Sequence, residues 1–267
     1  MSSVALVITT YNRPDALDLV LDSVSKQTVV PDEVVVGDDG SKEPTQRVVE
    51  KWIAEQKFSL THAWQEDRGF RAAACRNLAI KKTKSEYIVL IDGDMLLDSH
   101  FIEDHVNFAR RRFFTQGSRA KISETGTAEI LKTCEGSPTF SMFDSRLKSK
   151  RYGFRNSLLS KIFSGKRSFN RLCMLQTCNL AFFRGDFEKV NGFDEDYVGW
   201  GREDSDFCAR LMHSGVGRQD LKFKAVAYHL HHEGEPRNRL SVNDELLKKT
   251  LISKSVQCVN GIQKIEK

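Results

Sequence analysis

The chain has 267 residues, 41 lysines and arginines against 36 aspartates and glutamates, a net charge of +5, and 40% hydrophobic residues. That length can bury the core of one large α/β domain, and so small a cationic surplus excludes nucleic acid as a partner of the whole surface. Six scattered cysteines form no C-x-x-C pair, and Cys173 and Cys178, with four residues between them, lack the further ligands of a zinc site.

Reduced, mostly buried thiols are therefore expected, in keeping with a cytoplasmic protein. No apolar run reaches the length of a membrane span or a signal-peptide core, so a soluble protein is expected, with peripheral contact at the inner face of a membrane still open to it. Along the chain, Val4 to Ile8 is a continuous aliphatic run, the pattern of a strand covered on both faces. Pro14 suits a helix start, and Ala16, Leu17, Leu19, Val20, Leu21 and Val24 supply its apolar stripe. Val34 to Val36 reads as a second strand, about Pro44 to Lys57 as a helix, Phe58 to Trp64 as a short strand, and Phe70 to Lys81 as an alanine-rich helix. Ile88 to Ile91 reads as the next strand. This alternation predicts parallel strands with right-handed crossovers. Ligands of such sheets bind beyond the C-terminal strand ends, where Thr9-Thr10-Tyr11-Asn12, Asp38-Asp39-Gly40-Ser41 and Asp92-Gly93-Asp94 fall.

The most informative of these ends is Asp92-Gly93-Asp94. Two carboxylates so close on a rigid strand end repel each other unless a cation sits with them, and a divalent metal holding a diphosphate is the usual reason for such a turn. Capping of the helix over Phe101 to Phe108 falls instead to Asp98 and Ser99. The Asp38-Asp39 turn is either an ordinary turn or one in which an aspartate accepts from a base N–H. Arg71, Arg76 and Asn77 lie in the N-terminal half of a helix, a place suited to phosphate.

From Ala109 to Arg171 the chain is rich in Arg, Lys, Ser and Gly and reads as an insertion, either a solvated face or a surface for an anionic acceptor or lipid headgroups. Phe113, Phe114, Tyr152, Phe154 and Phe163 are interleaved with its charges. Gly199-Trp200-Gly201 then makes a tight aromatic turn before a helix that opens on Glu203-Asp204 and runs to about His213. Glu203, Asp204 and Asp206 are more carboxylates than capping needs, and one of them suits a general base with Trp200 stacked on a sugar. Among His229, His231 and His232, strand alternation sends His229 and His231 one way and His232 the other, so one imidazole is expected at a metal. An amphipathic helix closes the chain after Asn243.

Taken together, Val7 to Arg13, Val36 to Ser41, Arg76-Asn77, Asp92-Gly93-Asp94 and Gly192 to Arg210 resemble the family 2 glycosyltransferases of GT-A fold. The last block is similar to the C-terminal half of chondroitin polymerase, polypeptide N-acetylgalactosaminyltransferase and β-1,4-galactosyltransferase domains. The resemblance implies an α/β, Rossmann-like fold with a mostly parallel central sheet and an inverting, metal-dependent transfer from a nucleotide diphospho-sugar, a UDP-sugar by expectation. The acceptor would be a hydroxyl of a glycan or glycolipid in bacterial cell-surface polysaccharide or lipopolysaccharide synthesis. It divides one domain into a nucleotide-sugar half (1–108), the basic insertion (109–171), an acceptor and catalytic half (172–242) and a C-terminal helix (243–267).

By residue, the resemblance implies that Thr10, Tyr11, Asn12, Arg13 and Asp38 or Asp39 hold the nucleoside, with Arg71, Arg76 and Asn77 near the diphosphate. Asp92 and Gly93 would meet ribose or sugar, and Asp94 with His229 or His232 would ligate Mn²⁺ or Mg²⁺. Asp204 would be the base, with Glu203, Trp200 and Gly201 toward the acceptor. Arg202 departs from the glycine common at its position. A sugar-nucleotidyltransferase would instead show a glycine-rich loop after the first strand, and a non-catalytic carbohydrate- or nucleotide-binding module would not need two carboxylate sets.

Overall fold

The aliphatic run at the start of the chain is buried on both sides, as its lack of alternation predicts. In the computed structural model, which describes residues 2–134, 136, 140–141, 143–234 and 236–265, β1 (Val4–Thr10) turns Val4, Leu6 and Ile8 to one core and Ala5 and Val7 to another. Helix α1 (Pro14–Ser25) starts on its proline and covers the first core with Leu17, Leu21 and Val24. It leads to β2 (Glu33–Asp38), then to α2 (Glu43–Glu55), whose Val49 and Trp52 join that core, and to β3 (Leu60–Trp64). Helix α3 (Ala72–Lys81) lies on the opposite face, where a Cβ on Gly37 would stand 3.0 Å from that of Ala79. Small residues on both elements thus set a close helix–sheet approach. β4 (Tyr87–Asp92) completes the parallel half, in the order β3-β2-β1-β4.

The second half departs from simple alternation. It comprises β5 (Met95–Leu97), α4 (Phe101–Phe108), β6 (Phe113–Gln116), β7 (Arg119–Lys121), α5 (Glu124–Thr133), α6 (Ser157–Phe163) and β8 (Arg167–Ser168). These are followed by β9 (Leu180–Phe183), α7 (Arg184–Lys189), α8 (Glu203–His213), β10 (Gly217–Asp220), β11 (Ala227–His229) and α9 (Leu240–Ser253). Among the described residues the main sheet has eight strands, continuing from β4 as β9-β6-β10-β8, with β9 antiparallel to both β4 and β6. A small second sheet, β5-β11-β7, stands beside it. The architecture is thus mixed α/β around one large sheet.

Several expectations need correction. The basic segment is not wholly an excursion, because Phe113–Gln116 is a strand of the main sheet with Phe114 fully buried; Met142 and residues 135 and 137–139 of that segment lie outside the described residues. Asp98 does not cap α4 in the usual way: its carboxylate takes the His100 N–H at 3.0 Å, and His100 occupies the cap position. The last helix ends at Ser253 because Lys254 adopts a left-handed backbone (φ +52°). The chain after it packs without helix, Asn191 donating to the Cys258 and Gln263 carbonyls; residues 266–267 lie outside the described residues. All six cysteines are free thiols, and Cys75, Cys178, Cys208 and Cys258 are buried.

Candidate active site

Parallel pairing aligns the strand ends. Thr10 stands opposite Asp38 and Thr9 opposite Asp92, so the three polar turns open on one edge. A cleft of about 640 Å³ lies there, in the range of a nucleotide-sized ligand. Gly93 is required at its floor: its N–H bonds the Thr9 carbonyl at 2.7 Å, and a Cβ would fall 2.9 Å from Thr10 Cβ and Oγ1.

The turn delivers Asp94 to the small sheet. Met95 pairs with His229 across β5 and β11, and the Leu230 N–H bonds the Asp94 carbonyl, so the backbone ladder brings His229 beside Asp94. The strand stops at His229, and Leu230 to Gly234 continue without regular structure. Simple alternation therefore fails beyond that point. His231 leads away, its N–H donating to Thr127 Oγ1, and both His229 and His232 reach Asp94: their Nε2 atoms stand 3.6 and 3.2 Å from Asp94 Oδ2. The expectation of a single imidazole beside Asp94 is corrected because the strand ends at His229, before His232. One atom from each of the three residues lies within 4.8 Å of the others. Asp94 Oδ1 is buried with no hydrogen-bond partner among the described residues, the kind of orphaned acceptor that a cation satisfies. Burial, aided by the Arg119 charge, holds His229 down to about 3, so its imidazole is neutral and available as a ligand. Burial also raises Asp92 and Asp94, Arg76 opposing this at Asp92 and His232 and then Arg13 at Asp94.

Across the cleft, Gly199 (φ +78°), Gly201 (φ +102°) and Arg202 (φ +80°) form a left-handed turn that launches α8. Arg202 pays the Cβ penalty of that region and bonds Asp244 on α9. Trp200 lies on the cleft wall beneath the Arg237 guanidinium, 4.6 Å from its ring centre. Helical rotation divides the three carboxylates. Asp206 turns into the core and pairs with Arg210 at 2.8 Å, whereas Glu203 and Asp204 line the cleft. Asp204 is pushed up to about 7, first by burial and then by the neighbouring Glu203 charge, with Arg76 opposing.

Arg76 joins the two acidic groups. It is 5% exposed, and its guanidinium stands 3.0 Å from Glu203 Oε1 and 3.6 Å from Asp92 Oδ1. Strand-end and helix-end carboxylates therefore share one buried cation in one cleft.

Residues 5–188 match the family described as glycosyl transferase family 2. The chain belongs to glycosyltransferase family 2. Residues 163–233 of the glycosyltransferase also match the family described as the N-terminal domain of galactosyltransferase. It is 28% identical to validoxylamine A glucosyltransferase of Streptomyces hygroscopicus subsp. limoneus, over 79% of this chain and 48% of that one. It is 24% identical to chondroitin synthase of Escherichia coli, over 86% of this chain and 35% of that one. The chain thus spans about half or less of these curated relatives. Among solved structures, S. aureus TarS in complex with UDP superimposes with a TM-score of 0.67 at 18% identity, covering 94% of this chain and 65% of that one. The mannosyltransferase PcManGT of Pyrobaculum calidifontis, in complex with GDP-Man and Mn²⁺, gives a TM-score of 0.58 at 17% identity, covering 95% and 62%.

The glycosyltransferase does not turn every anticipated residue toward the cleft. Thr10, Tyr11, Arg13, Asp39, Arg76, Asp92, Gly93, Asp94, Trp200, Gly201, Glu203, Asp204, His229 and His232 line it; Asn12, Asp38, Arg71 and Asn77 do not. Asp38 is fully buried, with its oxygens taken by the Ser41 N–H at 2.7 Å and by His62 Nε2 at 3.0 Å. Of the two turn aspartates, Asp39 faces the cleft. Asn12 accepts from the Lys42 N–H, tying the first two turns together. Arg71 donates to the Glu66 carbonyl, away from the expected diphosphate. Asn77 bonds the Phe193 backbone on both sides and locks α3 to the turn before α8. Arg13 sits at the metal-type cluster, 3.2 Å from Asp94 Oδ2, where it offsets that carboxylate's charge.

Three cations of the wall were not anticipated: Arg119, Lys121 and Arg237. Arg119 and Lys121 flank Ala120 on β7, in register with Ala227 and His229, so they share the His229 face while Ala120 enters the core. The polar–apolar–polar pattern of Arg119-Ala120-Lys121 was the available signal, hidden inside a segment rich in charge. Nothing in the local sequence marks Arg237.

Proposed function

We propose that this cleft transfers a sugar from a nucleotide diphospho-sugar, a UDP-sugar, to a hydroxyl of a glycan or glycolipid acceptor with inversion at the anomeric carbon. The observation that carries the reading is the Arg76 bridge, which sets the Asp92–Asp94 turn and the Glu203–Asp204 helix end against the same space. Thr10, Tyr11 and Asp39 are the residues for the nucleoside, and Arg76 and Arg13 face the leaving diphosphate. Asp204 accepts the acceptor O–H proton as the acceptor oxygen bonds to the anomeric carbon. The bond from that carbon to the diphosphate oxygen breaks, and the electron pair leaves with UDP. Asp94, His229 and His232 would hold a divalent ion, which when bound neutralises charge developing on the diphosphate. Two imidazoles favour Mn²⁺ over the harder Mg²⁺. Trp200 offers a flat apolar face to the acceptor sugar.

Relatives named chondroitin synthase and a TarS structure containing UDP-GlcNAc support a UDP-linked donor and a polysaccharide acceptor, with bacterial cell-surface polysaccharide or lipopolysaccharide synthesis as the setting. The test is UDP release from a panel of UDP-sugars with Mn²⁺ and with excess EDTA. Release that depends on Mn²⁺ is expected. Equal release in EDTA would defeat the metal assignment, and no release from any nucleotide sugar would defeat the reading itself.

A further inference from the structure

Residues 145–175 carry nine lysines and arginines and no aspartate or glutamate. Some of these cations serve the fold: Arg155 pairs with Asp104 and Arg171 with Asp220. Lys148, Lys150, Lys161 and Lys166 are exposed and form no ion pair among the described residues. The aromatic residues of this stretch that looked available are mostly occupied, with Tyr152, Phe154 and Phe163 packing around Phe223 at 5.6–5.9 Å between ring centres.

What lies open is aliphatic. Leu158 and Ile162, one helical turn apart on α6, are 69% and 63% exposed, and Phe163 beside them is 41% exposed. Lys161 sits on the same short helix, and Lys166 and Arg167 follow it directly. The chain then runs through β8, past exposed Phe169, to Cys173 and Met174 on the cleft wall. An apolar ridge set among unpaired lysines has two complements: hydrocarbon beneath and negative charge around it. A second copy of this chain would offer the first but would oppose lysine with lysine.

We propose that α6 and the lysines on and just after it dock this protein on an anionic bilayer, Leu158 and Ile162 entering the acyl boundary while Lys161 and Lys166 lie among the headgroups. Among the described residues no helix is long and apolar enough to cross a membrane, so the contact is interfacial. The chain leads from α6 through β8 to Met174 on the cleft wall, so docking through α6 would put the bilayer on the segment that continues into that wall. A lipid-linked acceptor could then be glycosylated without leaving the membrane, a consequence that rests on the function proposed above; the docking itself does not.

The test is co-sedimentation of the full chain with vesicles of pure phosphatidylcholine and of phosphatidylcholine mixed with phosphatidylglycerol, alongside UDP release in solution. Binding to the phosphatidylglycerol vesicles is expected, weakened by salt as headgroup attraction is screened. Leu158→Glu/Ile162→Glu should lower it by about tenfold or more, with circular dichroism and UDP release unchanged. Lys161→Gln/Lys166→Gln, a milder change, should remove mainly the salt-sensitive part. Wild-type protein that stays in the supernatant, or a double-glutamate variant that binds as well as wild type, would overturn the proposal. So would a dimer in light scattering that the glutamate substitutions dissociate, which would assign the ridge to self-association. Loss of UDP release with intact vesicle binding would count against the catalytic reading alone.

Discussion

Asp204→Asn is expected to lower turnover by about 10²–10⁴-fold, the usual contribution of a positioned base, while UDP affinity in the presence of Mn²⁺ stays within about twofold of wild type. The asparagine keeps the size of the side chain and its contact with Ser205 but cannot take a proton. Because burial and Glu203 push Asp204 up to about 7, the wild-type pH profile of kcat/KM should rise through that value. Below it the carboxyl is protonated and cannot act as base, so the rate falls about tenfold per unit of pH. The variant's residual activity should lack this limb. A profile flat from pH 5 to 8 in wild type, or a variant of normal turnover, would take the base role from Asp204.

Arg76→Met is expected to cost more stability than any other single change at the cleft, about 3–5 kcal/mol in chemical denaturation at neutral pH. Methionine fills the space but leaves the Glu203 and Asp92 charges facing each other without their shared cation. The Glu203 side chain is only 11% exposed, so water cannot take the place of the guanidinium. Burial already holds Asp92 above its ordinary value with Arg76 opposing, so loss of Arg76 would raise that carboxyl further. The variant's folded state would then bind more protons than its unfolded state, which favours folding at low pH and loses that advantage as pH rises through the raised value. The deficit against wild type should therefore shrink toward pH 4 and be largest at pH 7 and above. A deficit that does not change with pH would mean that lost packing on Phe193, whose ring centre lies 5.7 Å from the guanidinium, dominates instead.

Much of this geometry could be read from residue order, for a physical reason. Val4 to Ile8 and Ile88 to Ile91 are apolar on every residue, which only strands covered on both faces tolerate, and parallel pairing then forces their polar ends to one edge. Asp94 and Asp204 were legible as carboxylates in excess of capping. The residues that misled were those whose polarity serves the backbone: Asp38 and Asn77 satisfy buried N–H groups, a use that residue type alone does not separate from ligand binding. That both His229 and His232 reach Asp94 was hidden because alternation, which admits only one of them, holds only while a strand lasts, and β11 ends at His229. Arg119 and Lys121 escaped because a three-residue strand carries too little periodicity to stand out within a run of cations. The antiparallel insertion of β9 depends on pairings far apart in the chain, and local pattern does not encode them.

The proposed transfer requires Asp94, His229 and His232 to hold one divalent ion against the diphosphate. Counting free Mn²⁺ by electron paramagnetic resonance in the presence of UDP tests it most directly. One tightly held ion per chain is predicted for wild type and for Asp204→Asn, and none for Asp94→Ala. An Asp94→Ala protein that still withdraws one equivalent of Mn²⁺ from solution would contradict it.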